Sequence, residues 1–77
     1  MHFEDDYGVF FTPQERNVIM CLFSGYSNKE SALAMRVEVR TIKAWVGRVA
    51  IKLQIDESKF LVRSRIVYII AHHMGLL

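Results

Sequence analysis

The stretch SNKESALAMRVEVRTIKAWVGRVAIKL, residues 27–53, decides the fold of this 77-residue chain. It opens with Ser27, followed three residues later by Glu30, which is the spacing of a capping box at the start of a helix. A short helix is predicted to follow, with three inward-facing residues: Ala32, Leu33 and Met35. Arg36 and Val37 then fall in a predicted turn that contains no glycine or proline.

The second half of the stretch predicts a longer helix from about Glu38 to Leu53. Its apolar residues recur at helical spacing and predict a buried stripe of Ile42, Val46, Val49 and Leu53, with Trp45 at the margin. The opposite face carries basic and small residues together: Arg40, Lys43, Ala44, Gly47, Arg48 and Ile51. A short helix, a tight turn and a longer helix with basic outer residues form the arrangement of a helix-turn-helix, whose second helix enters the major groove of DNA.

Helices are also predicted on both sides of this unit. Thr12 and Glu15 form a second capping box before an apolar run with helical spacing, and Gly25 is a natural left-handed end for that helix. A last helix is predicted to begin after Asp56, which is a good cap, and to reach about Met74. No segment alternates with period two for long enough to predict a strand. The predicted fold class is therefore all-α, with four helices.

Composition limits the class of protein further. The chain is 52% hydrophobic and 23% charged, which is typical of one globular domain. The single cysteine, Cys21, excludes a disulfide within the chain, and the acidic start MHFEDDYGVFF does not resemble a signal peptide. The longest apolar run, residues 66–71, is far shorter than the roughly 20 residues that span a bilayer. We expect a soluble cytoplasmic protein.

The charges are distributed unevenly along the chain. Residues 1–15 contain four acids and no Lys or Arg, whereas residues 36–52 contain five basic residues and one acid. We therefore expect an acidic N-terminal arm at residues 1–10 and a polyanionic partner, nucleic acid, for the basic region. A solvated helix face is the alternative, and charge alone does not decide between them.

Signals of catalysis or metal binding are weak. Cys21 lies among apolar residues with no local base or second thiol, and the adjacent His72 and His73 would point about 100° apart on a helix. A structural role, in capping or in an internal ion pair, suits Glu15 better than a functional one. We expect no enzyme activity, no metal and no cofactor.

Three segments resemble the LuxR/GerE-type DNA-binding domain. They are FTPQERNVIMCLFSGYSNKESA at residues 11–32, RTIKAW at residues 40–45 followed by KL at residues 52–53, and RIVYIIAHHMGLL at residues 65–77. The resemblance implies a four-helix transcription-factor domain at residues 11–77 that binds double-stranded DNA as a dimer, commonly through its last helix. It also implies a bacterial setting, or a phage or plasmid of bacteria.

Four positions depart from the pattern of that family. Ser31 replaces a usual core isoleucine, and Arg36 replaces a small turn residue. Glu38 replaces a usual serine, where an acid is repelled by phosphates but suits the helix dipole. Trp45 replaces a usual histidine, and it can stack on sugar or pack against the second helix.

The resemblance and the helix geometry together assign candidate DNA contacts. Lys43 is the first candidate for base contact, because lysine can donate to guanine O6 and N7. The predicted base-reading residues are Lys43, Ala44, Gly47 and Val39. The predicted DNA-backbone contacts are Lys29, Arg40, Thr41, Trp45, Arg48 and Lys52. Gly47 within a helix costs about 1 kcal/mol relative to alanine, and close approach of DNA or packing under a neighbouring helix would each explain it.

The last predicted helix carries two apolar stripes. One can cover the core, and the other needs a partner unless so small a domain encloses both. The predicted dimer contacts are Ile66, Ile69, Ile70 and His73. The expected function is that of a sequence-specific DNA-binding transcriptional regulator acting as a homodimer. The alternative is a protein-interaction module that pairs with, or antagonises, a larger LuxR-type regulator without reading DNA.

Overall fold

The structure is a computed structural model that describes residues 10–58 and 61–76. These residues form four helices: α1 at Pro13–Phe23, α2 at Asn28–Met35, α3 at Val39–Lys52 and α4 at Val62–His73. They contain no strand, so the predicted all-α, four-helix class is confirmed. Nine of the ten residues of the predicted acidic arm lie outside the described residues, and the domain boundary at residue 11 stays a prediction.

The two predicted capping boxes are present. The Thr12 hydroxyl accepts a hydrogen bond from the Glu15 amide at 3.2 Å, and a Glu15 carboxylate oxygen accepts one from the Thr12 amide at 2.9 Å. Ser27 and Glu30 make the same pair of hydrogen bonds, at 3.0 and 2.8 Å. These bonds occupy amides that the first turn of a helix leaves without partners, and they fix where α1 and α2 begin.

The first three helices end in a residue with left-handed backbone. Gly25 has φ 78°, as expected, and Arg36 and Gln54 have φ 59° and 57°. In each case the next amide donates to the carbonyl five residues earlier, as Val37 does to Ala32 at 3.0 Å. Arg36 thus ends α2 without the glycine that usually adopts this conformation, although a side chain there costs roughly 1–2 kcal/mol.

The core is formed by residues from all four helices and the segment before α1. Its buried members are Phe11, Val18, Ile19, Leu22, Ala32, Ile42, Val46, Val49, Ala50, Ile66 and Ile70. The predicted stripe of α3 is confirmed, with Leu53 half-buried at its end. The prediction for α2 was wrong at Leu33, which is 74% exposed, whereas Ser31 is buried. Ser31 and Ala32 lie on the side of α2 that packs against the core, so the next residue, Leu33, points to solvent.

The predicted start of the last helix was also wrong. The Asp56 carboxylate accepts hydrogen bonds from the amide and hydroxyl of Ser58, so it closes a local turn instead of capping a helix. Helix α4 begins at Val62, after Leu61, with no side-chain cap. Arg63 in its first turn donates to the Tyr26 carbonyl and to the Asn28 side chain, which attaches α4 to the loop between α1 and α2.

Candidate nucleic-acid interface

The outer face of α3 is open to solvent. Lys43, Ala44 and Arg48 are exposed, and Val39 at the start of the helix is partly exposed. The other three helices pack against the opposite face of α3, through Ile42 and its neighbours in the core. The face that carries the predicted base-reading residues is therefore accessible to a large partner.

Gly47 lies at the middle of this open face. Among the described residues, a Cβ atom built on Gly47 would meet no heavy atom within 4 Å apart from its chain neighbours and the backbone of its own helix. Packing under a neighbouring helix, which was one explanation for a glycine here, is therefore wrong. No contact within residues 10–58 and 61–76 accounts for the missing side chain, whereas a molecule that approaches this face closely would do so.

The N-terminus of α3 carries an exposed ion pair. Glu38 precedes the helix but makes no side-chain capping bond. Its carboxylate instead contacts the Arg40 guanidinium at 2.9 Å, and the two side chains are 70% and 83% exposed. Exposed pairs of this kind contribute about 0–1 kcal/mol, so Arg40 can exchange Glu38 for a phosphate at little cost.

Three further residues were predicted to contact the DNA backbone. Lys29 is exposed in the first turn of α2, and Thr41 is half-buried in the first turn of α3. Trp45 is half-buried and packs against the core, where it lines a groove of about 560 Å³ with residues of α1, the end of α2 and Val37. Of its two possible roles, the structure favours packing for most of the indole, with one part left at the surface.

Lys52 is bound within the protein. Its ammonium nitrogen lies 2.6 Å from a Glu15 carboxylate oxygen and 2.7 Å from the Phe10 carbonyl oxygen. It also lies 5.8 Å from the centre of the Phe11 ring. Because these contacts link α3 to α1 and the segment before it, we assign Lys52 to the fold and leave it out of the proposed DNA contacts.

The partner of Lys52, Glu15, is a buried acid with two structural roles. Its carboxylate completes the capping box of α1 and forms the ion pair with α3, as the internal role predicted for Glu15 required. Burial by itself raises the pKa of Glu15, but hydrogen bonds from Lys52 and Thr12, together with the charge of Lys52, outweigh it and lower the pKa below 4.5. The carboxylate is therefore ionised at neutral pH.

A family model named GerE, described as bacterial regulatory proteins of the luxR family, matches residues 9–65. The chain belongs to the luxR family. The matched residues include α1, α2, α3 and the start of α4, which is the part of the molecule that forms the helix-turn-helix and its support. No curated protein and no solved structure matches the chain.

Membership of the luxR family assigns the helix-turn-helix to α2 and α3. The protein is thus a LuxR-family helix-turn-helix DNA-binding regulator, and α3 is the helix predicted to be its recognition helix. The predicted bounds of that helix, 38–53, differ from the observed bounds by one residue at each end. The roles of individual side chains on α3 stay predictions.

The dimer contacts predicted for this LuxR-family domain are partly wrong. Ile66 and Ile70 are 0% exposed because they fill the core of the protomer, and a second chain cannot contact them. Ile69 and His73 are half-buried. The exposed side of α4 carries Tyr68, His72 and the half-buried Arg65, and Leu61, just before the helix, is exposed on the same side. These four residues follow one another at intervals of four, three and four.

Aromatic and cationic groups follow one another on that exposed side. The Arg65 guanidinium lies 5.0 Å from the centre of the Tyr68 ring, and the Tyr68 and His72 rings are stacked with centres 6.2 Å apart. The dimer contacts predicted from the sequence, Ile66, Ile69, Ile70 and His73, include none of these residues. Tyr68, an aromatic residue between two polar ones at helical spacing, was the signal that could have identified this exposed side of α4.

The described residues contain neither a metal-binding cluster nor a membrane-spanning helix. Within residues 10–58 and 61–76, no three His, Cys, Asp or Glu side chains are grouped to hold a metal ion. No helix in the same ranges has the length and apolar character needed to cross a membrane.

Proposed function

We propose that this LuxR-family protein is a sequence-specific transcriptional regulator that binds double-stranded DNA as a homodimer. The observation that carries the proposal is the open outer face of α3, where Gly47 has free space above it between Lys43 and Arg48. A major groove admits a helix closely only where the central side chains are short, and basic residues beside them neutralise phosphates.

The side chains on this face have different roles in the proposal. Lys43 donates to a base edge, and Ala44 and Gly47 allow the helix to approach it. Val39 meets base methyl groups at the start of the helix. The DNA backbone is contacted by Lys29, Arg40, Thr41, Arg48 and the exposed part of Trp45.

A mobility-shift titration with salt tests these roles. Lys43→Ala is expected to bind all sequences with similar affinity, because it loses a contact that distinguishes bases. Arg48→Ala is expected to weaken binding to every sequence alike and to reduce the salt slope by about one, because it releases one fewer counterion. If the two variants show the same change in sequence preference and in salt slope, the roles assigned to Lys43 and Arg48 are contradicted.

The Glu38–Arg40 pair supports a second candidate function. An acid at the start of the recognition helix offsets one of the cations that would face DNA. The same fold would then act as a protein-interaction module that pairs with a larger LuxR-type regulator. Failure to bind bulk genomic DNA at low salt, together with co-purification of such a regulator, would favour this function over DNA reading.

A further inference from the structure

The outermost line of α3 is apolar, although basic residues flank it. Ala44 and Ile51 lie seven residues apart, so they point in nearly the same direction, about 10.5 Å apart along the helix axis. Gly47 lies between them. Ile51 is 75% exposed, which makes it one of the most exposed large apolar side chains among the described residues.

The position of Ile51 relative to Gly47 brings its methyl groups to the surface. A helical side chain leans toward the N-terminus and covers the turn before its own Cα. Ile51 therefore leans toward the turn that contains Gly47, where a built Cβ would meet no described side chain, that of Ile51 included, within 4 Å. A partner that approaches Gly47 closely therefore also comes near the exposed Ile51 side chain.

The charges around this strip indicate which partner it fits. Lys43 lies on one side of the line from Ala44 to Ile51, Arg48 lies on the other, and both are exposed. A duplex presents a matching arrangement, with base edges between two phosphate backbones. In the major groove, the apolar feature of those edges is the C5-methyl group of thymine.

We propose that Ala44, Gly47 and Ile51 form an apolar strip that reads thymine methyl groups, with Ile51 as the residue that determines specificity. Because 10.5 Å corresponds to about two or three base pairs along the groove, the thymine under Ile51 is separated by that interval from the base pair under Ala44. This inference rests on the proposed function, because it names the base chemistry that the same face of α3 selects.

Thymine-to-uracil substitution provides the test, because uracil pairs as thymine does but lacks the methyl group. After binding sites are selected from random DNA, each thymine is replaced by deoxyuridine and the dissociation constant is measured for the wild-type protein and for Ile51→Ala. One uracil position is expected to weaken the wild type by about fourfold, the value for one buried methylene-sized group. The same uracil should leave the affinity of Ile51→Ala unchanged.

Two controls make the test specific. Replacing that thymine–adenine pair by cytosine–guanine should weaken the wild type, and 5-methylcytosine at the same place should recover part of the loss, since it restores the methyl group. Leu33→Ala removes an apolar side chain of nearly equal exposure from α2, and it should keep the wild-type response to uracil. Because Ile51 and Leu33 are exposed, both variants should unfold at the wild-type temperature.

The outcomes separate this inference from the proposed function. If the wild type binds selected duplexes but no uracil position weakens it, or if Ile51→Ala keeps the full response, the thymine reading is refuted and DNA binding stands. If the wild type binds no duplex even at low salt, the proposed function itself fails, and the thymine reading fails with it.

Discussion

At the scale of single residues, Glu15 and Lys52 determine how the stability of the protein depends on pH. The Glu15 side chain is almost completely buried, and it makes an ion pair with Lys52 while it caps α1. The lowered pKa of Glu15 means that the folded state holds its carboxylate ionised more strongly than the unfolded chain does. The stabilisation that the ionised Glu15 carboxylate provides is therefore complete above the pKa of Glu15 in the unfolded chain. It is lost as the pH falls through the pKa of Glu15 in the folded protein.

We predict that Glu15→Gln removes part of the acid sensitivity of the fold. At pH 7 the variant should be less stable by about 2–3 kcal/mol, because it loses the charge-assisted bonds to Lys52 and Thr12. Below the ordinary glutamate pKa of 4.5 its stability should approach that of the wild type. Urea denaturation between about pH 3 and 7 measures both effects.

Glu57→Gln, which changes an exposed acid in the loop before α4, is the matched control and should follow the wild type at each pH. If the free energies of unfolding of Glu15→Gln and the wild type differ by the same amount at every pH in this range, the ion pair does not determine how stability depends on pH.

At the scale of elements, α3 combines a low intrinsic helix propensity with an open face. Glycine in a helix interior is less favourable than alanine by about 1 kcal/mol. The free space above Gly47 means that no packing contact in the described part of the chain compensates for this cost. Gly47 therefore makes α3 less stable than alanine would, at the position where the proposed DNA contact is closest.

We predict that Gly47→Ala raises the free energy of unfolding by about 0.5–1 kcal/mol and weakens DNA binding at the same time. The added methyl group improves helix propensity, but it separates the helix from the base edges. Thermal unfolding and a mobility-shift assay on the same preparation measure the two changes.

Gly25→Ala is the control for backbone effects, because φ at Gly25 is +78° and a side chain there is strained. That variant should be less stable than the wild type while its recognition face is unchanged. A Gly47→Ala protein that gains stability and binds DNA with unchanged affinity would rule out close approach at this position.

At the scale of the whole molecule, one side of α4 packs into the core and the other side faces solvent. Ile66 and Ile70 complete the core of the protomer, whereas Leu61 and Tyr68 remain 81% and 50% exposed on the other side. A two-fold pairing of this exposed side, here called the outer stripe of α4 (Leu61, Arg65, Tyr68 and His72), would bury it without disturbing the core. Such a dimer would present two recognition helices to half-sites about 34 Å apart.

We predict that Tyr68→Glu converts the protein to a folded monomer. The acid introduces a charge at the centre of the outer stripe, and burying two such charges against each other is unfavourable. Sedimentation should show half the wild-type mass, and affinity for a palindromic site should fall much more than affinity for a single half-site.

Leu33→Glu places the same charge at an exposed apolar position on α2, away from the outer stripe, and should stay dimeric. A wild-type protein that is monomeric both alone and on palindromic DNA would refute the dimer.

The sequence by itself determined the features that depend on residues three to five positions apart. The capping boxes of Thr12 and Ser27, the left-handed end at Gly25 and the buried stripe of α3 are local, because each depends on side-chain chemistry and helical spacing within one element. The helix-turn-helix and its open basic face follow from them. This explains why the fold class and the bounds of the recognition helix were predictable.

Only the tertiary structure decided which groups meet across the chain. Lys52 looked like a surface cation of α3 until its partners Glu15 and Phe10, 37 and 42 residues away, were in place. The burial of Ile66 and Ile70 in preference to the outer stripe of α4 likewise depends on how α4 lies against α1 and α3. The spacing of apolar residues within one helix does not show which of its apolar faces is buried. The packing of the helices against each other decides it.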